Sequence, residues 1–327
     1  MRRRALIALA AATSLARPAL AQDFPSRPVR IIVPLAPGGA VDITARLLAE
    51  KLQPLLGQTV IVDNRGGAGG NLGADAVAKA EKDGHTLLLG TATILAANKF
   101  LYRRSMTYDP IRDLAPITRV STGTVLLVVN SRSPWRSFGE MIEAARRDPG
   151  KLTMGSSGTG TVSHLTISAV SKAAGVEITH VPYRGGGPAI TDLLAGTVDM
   201  MFDVMPALMP HVREGRFRAL AVGSADRVDY VPGLEDVPGM KELLPQSGID
   251  MQSWYATSAP AGTPSDRIAR LHQAIVQVVR TDDYRQKLEP LGFKPVWDDT
   301  PDAFAAYLRA QEQVWQRIVE ASGASLD

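Results

Sequence analysis

Six times along this 327-residue chain, a run of strand-forming residues ends in a glycine- or threonine-rich turn that opens into helix-type spacing. The turns are PLAPGGAVD after Val29–Val33, NRGGAGGNLG after Thr59–Val62, GTAT after Leu87–Leu89, GSSGTGTVS after Leu152–Met154, YRGGGPA after Ile178–Val181 and FDVMP after Val198–Met201. Alternation of this kind predicts parallel sheets covered by helices. In an open α/β sheet the turns after parallel strands collect at one edge, and ligands bind there. Three junctions fall early and three late, which predicts two α/β lobes facing each other across a cleft.

The first 21 residues read as a separate object. Arg2, Arg3 and Arg4 form a basic start, Ala5–Ala16 an apolar stretch, and Ala19-Leu20-Ala21 a cleavage signal. The apolar stretch is shorter than the ~20 residues of a spanning helix and is broken by Arg17 and Pro18. The expectation is a periplasmic protein exported by a signal cleaved after Ala21. That segment holds four of the 36 basic residues and no acid, so the rest carries 32 basic against 33 acidic residues, a formal net charge of −1. Neither this balance nor any long Lys/Arg run favours nucleic acid as a partner. With no cysteine, thiol nucleophiles, disulfides and cysteine metal sites are excluded. The five histidines fall in unrelated segments without metal-ligand spacing, so neither a metal nor a cofactor is expected.

The organisation expected after residues 1–21 is a first lobe over 22–122, a second over 123–223, and a return to the first over 224–327. The crossing is placed near Val120–Asn130, where LAPITRV runs into STGTVLLVVN with no helix between them. Beyond Arg218–Val222 the proline-rich YVPGLEDVPGM leads to SWYATSAPAGTP, which reads as the way back. Thr263, Pro264 and Asp266 predict a helix capped by Thr263 and running to about Val279, and Thr300-Pro301-Asp302 repeats that start signal. In the last helix Phe304, Tyr307, Leu308, Trp315, Ile318 and Val319 recur at helical intervals as a core stripe.

The turns carry the chemistry. A helix start presents backbone N–H groups without intrahelical partners and a partial positive charge, which together suit a carboxylate. Gly38-Gly39, Gly66–Gly70, Gly155–Gly160 and Gly185–Gly187 let the backbone approach an anion, and the hydroxyls of Thr91, Thr93, Ser156, Ser157, Thr159 and Thr161 add donors. Any one cluster is explained by turn geometry alone; four on one edge point to a ligand. Asp42 caps a helix start or touches the ligand, and Asp203 caps a turn or contacts a ligand amine, hydroxyl or water. The rival motifs fail by spacing. NRGGAGGNLG has Leu72 where a dinucleotide fingerprint needs its third glycine, Gly150-Lys151 continues to Leu152 rather than to the hydroxyl residue of a phosphate loop, and GSSGTG does not fit a nucleophile elbow. Ser157 with His164 leaves a hydrolase as the alternative.

Four strings, PSRPVRIIVPLAPGGAVDITARLLAEKL, VIVDNRGGAGGNLGADAVAKAEKDGHTLLLG, HVPYRGGGPAITDLLAGTVDMMFD and SWYATSAPAGTP, resemble the Bug family, the extracytoplasmic solute receptors of tripartite tricarboxylate transporters. The resemblance spans Phe24–Ala324. It implies a type II periplasmic-binding-protein fold, α/β, with two doubly wound lobes joined by two crossing strands around a ligand cleft. It also implies a receptor, not an enzyme, that captures a small organic carboxylate and delivers it as a monomer to the transporter's membrane subunits. The family's ligands include dicarboxylates, tricarboxylates, acidic amino acids and aromatic acids. Carried onto this chain, the implied first-lobe contacts are Ala36, Gly38, Gly39 and Asp42, then Ala68, Gly69 and Gly70, then Thr91 and Thr93. The second lobe would supply Ser156, Gly158, Thr159 and Thr161, with Gly185, Gly186 and Asp203. His85 departs from the family's usual tyrosine, at a position before its strand. The contrasting reading is an exported enzyme that uses Asp203, His164 or Ser157 in the same cleft.

Overall fold

Runs apolar at nearly every position become strands buried on both faces, as strands lying under two helix layers must be. Ile31, Leu87–Leu89 and Val125–Val129 have no exposed surface. In the computed structural model, which describes residues 24–322 and Leu326, the elements begin β1 (Val29–Val33), α1 (Ala40–Leu56), β2 (Val60–Asn64), α2 (Asn71–Ala78), β3 (Thr86–Thr91) and α3 (Asn98–Leu101). There follow β4 (Leu114–Asn130), α4 (Phe138–Arg147), β5 (Thr153–Ser156), α5 (Val162–Ala174), β6 (Thr179–Pro182), α6 (Gly186–Ala195), β7 (Met200–Val204), α7 (Met205–Arg213) and β8 (Phe217–Val222). The chain ends through α8 (Met240–Leu243), β9 (Gln252–Pro260), α9 (Ser265–Val279), α10 (Asp282–Leu288), β10 (Phe293–Pro295) and α11 (Pro301–Ser322). The predicted signal segment and its cleavage point lie outside the described residues. No helix among those residues is long and apolar enough to cross a membrane.

Two parallel groups form, β2-β1-β3 and β6-β5-β7, and the long β4 connects them. Its first part pairs antiparallel with β9, from Leu114 opposite Pro260 to Thr124 opposite Gln252. Its second part, Val125–Asn130, pairs with β7 and β8. β8 and β9 lie end to end along β4. The Gly223 N–H donates to Val125 O (2.8 Å) and the Met251 N–H to Gly223 O (2.9 Å), while Thr124 Oγ1 donates to Met251 O (2.6 Å). The second crossing is thus a strand in two pieces, from which residues 224–250 loop out. The proline-rich segment is this excursion.

Three local expectations are corrected. The sixth junction contains no turn before its helix: β7 runs through Asp203 to Val204 and α7 starts at Met205. Ser156 and Thr91 close β5 and β3 rather than standing in the turns beyond them. Thr263 does not cap α9, because its hydroxyl donates to Pro260 O (2.7 Å) and Pro264 occupies the cap position.

Thr300 does cap α11, accepting from the Ala303 N–H at 3.1 Å. Along that helix Phe304, Leu308, Trp315 and Val319 are buried, with Tyr307 and Ile318 half-buried beside them. Thr300→Ala is expected to lower unfolding free energy by about 1 kcal/mol, the usual cost of a lost N-cap, measured by urea unfolding.

Candidate functional site

Four helix starts meet in one gap between the two groups of strands. Gly39, Ala40 and Val41 bring the start of α1; Thr161 and Val162 that of α5; Gly186 that of α6; Val204 that of α7. None of these four starts is capped by a side chain. Gly39, Gly185 and Val204 have no acceptor to offer. Thr161 has one, but its hydroxyl donates to Gly158 O at 2.7 Å instead. Helices α4, α10 and α11, remote from the gap, close their starts with Ser137, Thr281 and Thr300. At the gap the first amides of four helices, and the positive dipole ends behind them, are thus left without side-chain acceptors, as they also are at the start of α9. Among the described residues no Lys, Arg or His lines the gap.

The lobes touch directly. The Ala36 N–H donates to Arg184 O (3.0 Å), and Tyr102 Oη donates to Thr159 O (2.9 Å). A Cβ placed on Gly39 would lie 3.3 Å from Gly186 N. The gap left is about 20 Å³ measured for the centre of a water molecule, room for one or two waters. Outside it, sharing Leu35 and Ser157 with the gap, opens a vestibule of about 360 Å³.

The structure divides the sequence-predicted residues between these spaces. Ala36, Gly39, Asp42, Thr91 and Thr93 line the gap from the first lobe, and Thr161, Gly186 and Asp203 from the second. Ala68, Gly69, Gly70, Gly158 and Thr159 line the vestibule. Gly38, Ser156 and Gly185 line neither. Gly38 and Gly185 shape the turns behind the contact, where Gly38 (φ 80°) donates its N–H to Asp42 Oδ2 (3.0 Å). The sequence reading missed Leu35, Ile94, Ser253 and Tyr255 in the gap and Tyr102, Tyr183 and Arg184 in the vestibule. Only the string SWYATSAP pointed toward Ser253 and Tyr255, and it named no face of β9.

Asp42 and Asp203 are electrostatic opposites. Burial alone would raise the Asp42 pKa, but hydrogen bonds from Arg46 and the Gly38 N–H outweigh it and hold the carboxyl below its ordinary value. Arg46 binds both oxygens, Nε to Oδ2 at 3.0 Å and Nη2 to Oδ1 at 2.9 Å. Asp42 thus braces the turn before α1 and keeps its charge neutralised. No cation among the described residues pairs with Asp203. Burial pushes it up to about 6 despite hydrogen bonds from Ser163, the Val204 N–H and Ser157.

The pairing a Ser157 hydrolase needs is not made. Ser157 Oγ bonds Asp203 Oδ1 (3.1 Å) and Ser163 Oγ (3.0 Å), whereas His164 Nδ1 accepts from the Gly160 N–H (3.2 Å). His180 Nε2 does lie 2.6 Å from Ser156 Oγ, but that serine is fully buried behind the loop. His164 and His180 stack at 4.3 Å, and burial lowers both, His180 to about 4. They support the 156–160 loop as neutral rings.

The family model described as tripartite tricarboxylate transporter family receptor matches residues 44–324. Protein BugT of Bordetella pertussis is 36% identical over 316 residues, covering 97% of this chain and 95% of BugT. Two solved structures from Rhodopseudomonas palustris are also similar. Rpa4515 with adipate has a TM-score of 0.86 and 35% identity, over 93% of this chain and 100% of that one. MatC with bound malate has a TM-score of 0.83 and 31% identity, over 90% and 100%. A two-lobed sheet, uncapped helix starts converging on its gap, and a match over most of the length lead to one conclusion: this chain belongs to the tripartite tricarboxylate transporter family receptors, the Bug-type periplasmic solute receptors.

Proposed function

We propose that this receptor captures a small organic dicarboxylate in the gap between its lobes and hands it, chemically unchanged, to the membrane subunits of a tripartite tricarboxylate transporter. One observation carries the reading: four helix starts, none capped by a side chain, converge on a gap that no cationic side chain among the described residues lines. Amides so arranged hold a carboxylate by charge-assisted hydrogen bonds of roughly 1.5–3 kcal/mol each. Adipate and malate in the similar R. palustris structures support this ligand class. Residues 22–122 with 224–327, and residues 123–223, are the bodies that part, with Thr124–Val125 and Gly223–Met251 at the pivot. The gap alone is too small for a four- to six-carbon acid, so entry requires opening, and hinge closure then holds the ligand across the gap and the vestibule that adjoins it at Leu35 and Ser157.

The test is a panel of four- to six-carbon dicarboxylates added to the purified chain. The matching acid is expected to stabilise it by about 2.7 kcal/mol at a hundredfold excess over the dissociation constant, and mass spectrometry should recover that acid unaltered. Conversion of the acid would favour an exported enzyme. Absence of stabilisation by every acid in the panel would overturn the dicarboxylate reading.

A further inference from the structure

The gap holds one carboxyl group that no cation answers. Asp203, on β7, is 1% exposed. Its Oδ1 is saturated: it accepts from Ser163 Oγ (2.7 Å), the Val204 N–H (2.9 Å) and Ser157 Oγ (3.1 Å). Its Oδ2 receives none of these donors. That oxygen lies beside the start of α6, where a Cβ on Gly186 would come within 2.5 Å of it. The starts of α6 and α7 thus flank Oδ2, and any anion held by their amides lies against it.

The charged and titratable groups around Asp203 do not relieve this conflict. From β9 comes Tyr255, whose hydroxyl burial pushes well up and keeps neutral. From α1, across the gap, comes Asp42, already bound by Arg46. From α5 and β6 come His164 and His180, which burial keeps neutral and which are bonded to the loop. The starts of α6 and α7 contribute only backbone, and β4 places the apolar Leu126 opposite. Two carboxylates in contact in so dry a chamber cannot both stay ionised; one must take a proton.

We propose that Asp203 meets the captured acid as a neutral carboxylic acid, donating a hydrogen bond from Oδ2 to the ligand carboxylate, so that each capture takes up one proton. This rests on the carboxylate-receptor reading above and assigns Asp203 a defined role within it. The sign follows from linkage. The free receptor releases this proton near pH 6, and the bound anion raises that value further. Affinity therefore falls as pH rises above about 6, approaching tenfold per pH unit.

The experiment is calorimetric titration of the full chain with succinate, malate and adipate between pH 5.5 and 8.5, in two buffers of different ionisation heat. The expected result is uptake of close to one proton at pH 8, with the affinity falling as stated. Asp203→Asn, whose amide donates at every pH, should bind with no pH dependence and no proton uptake above about pH 6.5, where the acids are themselves fully ionised. If that variant does not fold, the proton count of the parent chain still decides. Tight binding with no proton uptake and a flat profile would overturn the proposal while leaving the receptor standing. So would a preference for malate abolished by Asp203→Asn, since an ionised Asp203 would then be accepting from the ligand hydroxyl. Failure of all three acids, and of the wider panel, to bind would instead overturn the dicarboxylate reading on which this inference rests.

Discussion

A Gly187→Val chain is expected to fold like its parent and to bind its acid at least about 100-fold more weakly. Gly187 is the second residue of α6, and the side chain it lacks would point across the gap into the Pro37 carbonyl of the other lobe. That contact exists only when the lobes are together. Within its own lobe the position is an ordinary helical first turn, where valine costs little relative to glycine. The substitution should therefore hold the lobes apart and deny the ligand the amides of α1. Losing two charge-assisted hydrogen bonds at roughly 1.5–3 kcal/mol each corresponds to about a 10²- to 10⁴-fold loss. Calorimetry measures the affinity, urea unfolding the stability without added acid, and small-angle scattering the failure to compact on addition of acid. Affinity within threefold of the parent would mean that closure through Gly187 is not part of capture.

Asp298→Ala is expected to produce the largest loss of stability, about 3 kcal/mol. Asp298 lies just before α11 and is 6% exposed. Its carboxylate accepts from Arg119 Nη2 (2.8 Å), from Nε and from the Arg119 N–H (3.0 Å), while its own N–H donates to Thr118 Oγ1 (2.9 Å). Arg119 is half-buried with its guanidinium 3.9 Å from the centre of the Tyr307 ring, and Asp298 offsets the burial that would otherwise lower its pKa. This cluster fastens the start of α11 to β4, the strand that passes between the lobes. Removing one partner strands a half-buried charge and a backbone donor, which places the cost near the lower end of the 3–5 kcal/mol seen for broken buried pairs. A shift in urea midpoint equivalent to less than 1 kcal/mol would show that water replaces the carboxylate, and that the cluster fixes geometry rather than stability.

The two predictions differ in how far they could be foreseen. Gly187 stands in YRGGGPA, a turn the sequence marks by composition alone. Asp298 carries no such signal: WDDT reads as a polar approach to a helix, and its partner Arg119 is 179 residues away. The site shows the same division. Gly185 in YRGGGPA is visibly unable to cap a helix, so the unsatisfied start of α6 can be read directly, whereas Asp42 and Asp203 left the starts of α1 and α7 open until the structure placed Gly39 and Val204 at their caps. Thr161 cannot be judged that way, because its hydroxyl had a choice and took Gly158 O. Ser253 and Tyr255 escaped notice because β9 is buried on both faces, leaving no alternation to show which residues face the gap. Their placement depends on register, which sets Tyr255 opposite Thr91 on β3.

Sequence alone determined the alternation of strand and helix, the glycine-rich starts and the lack of any cysteine. These follow from local rules: backbone freedom, side-chain volume and the period of apolar residues. Tertiary structure decided that β8 and β9 join into one crossing strand despite an intervening loop of 27 residues, that Asp42 is neutralised, and that Asp203 is not. Each of these outcomes depends on which distant groups share a desolvated space, and electrostatic energy in such a space is set by proximity rather than by order along the chain.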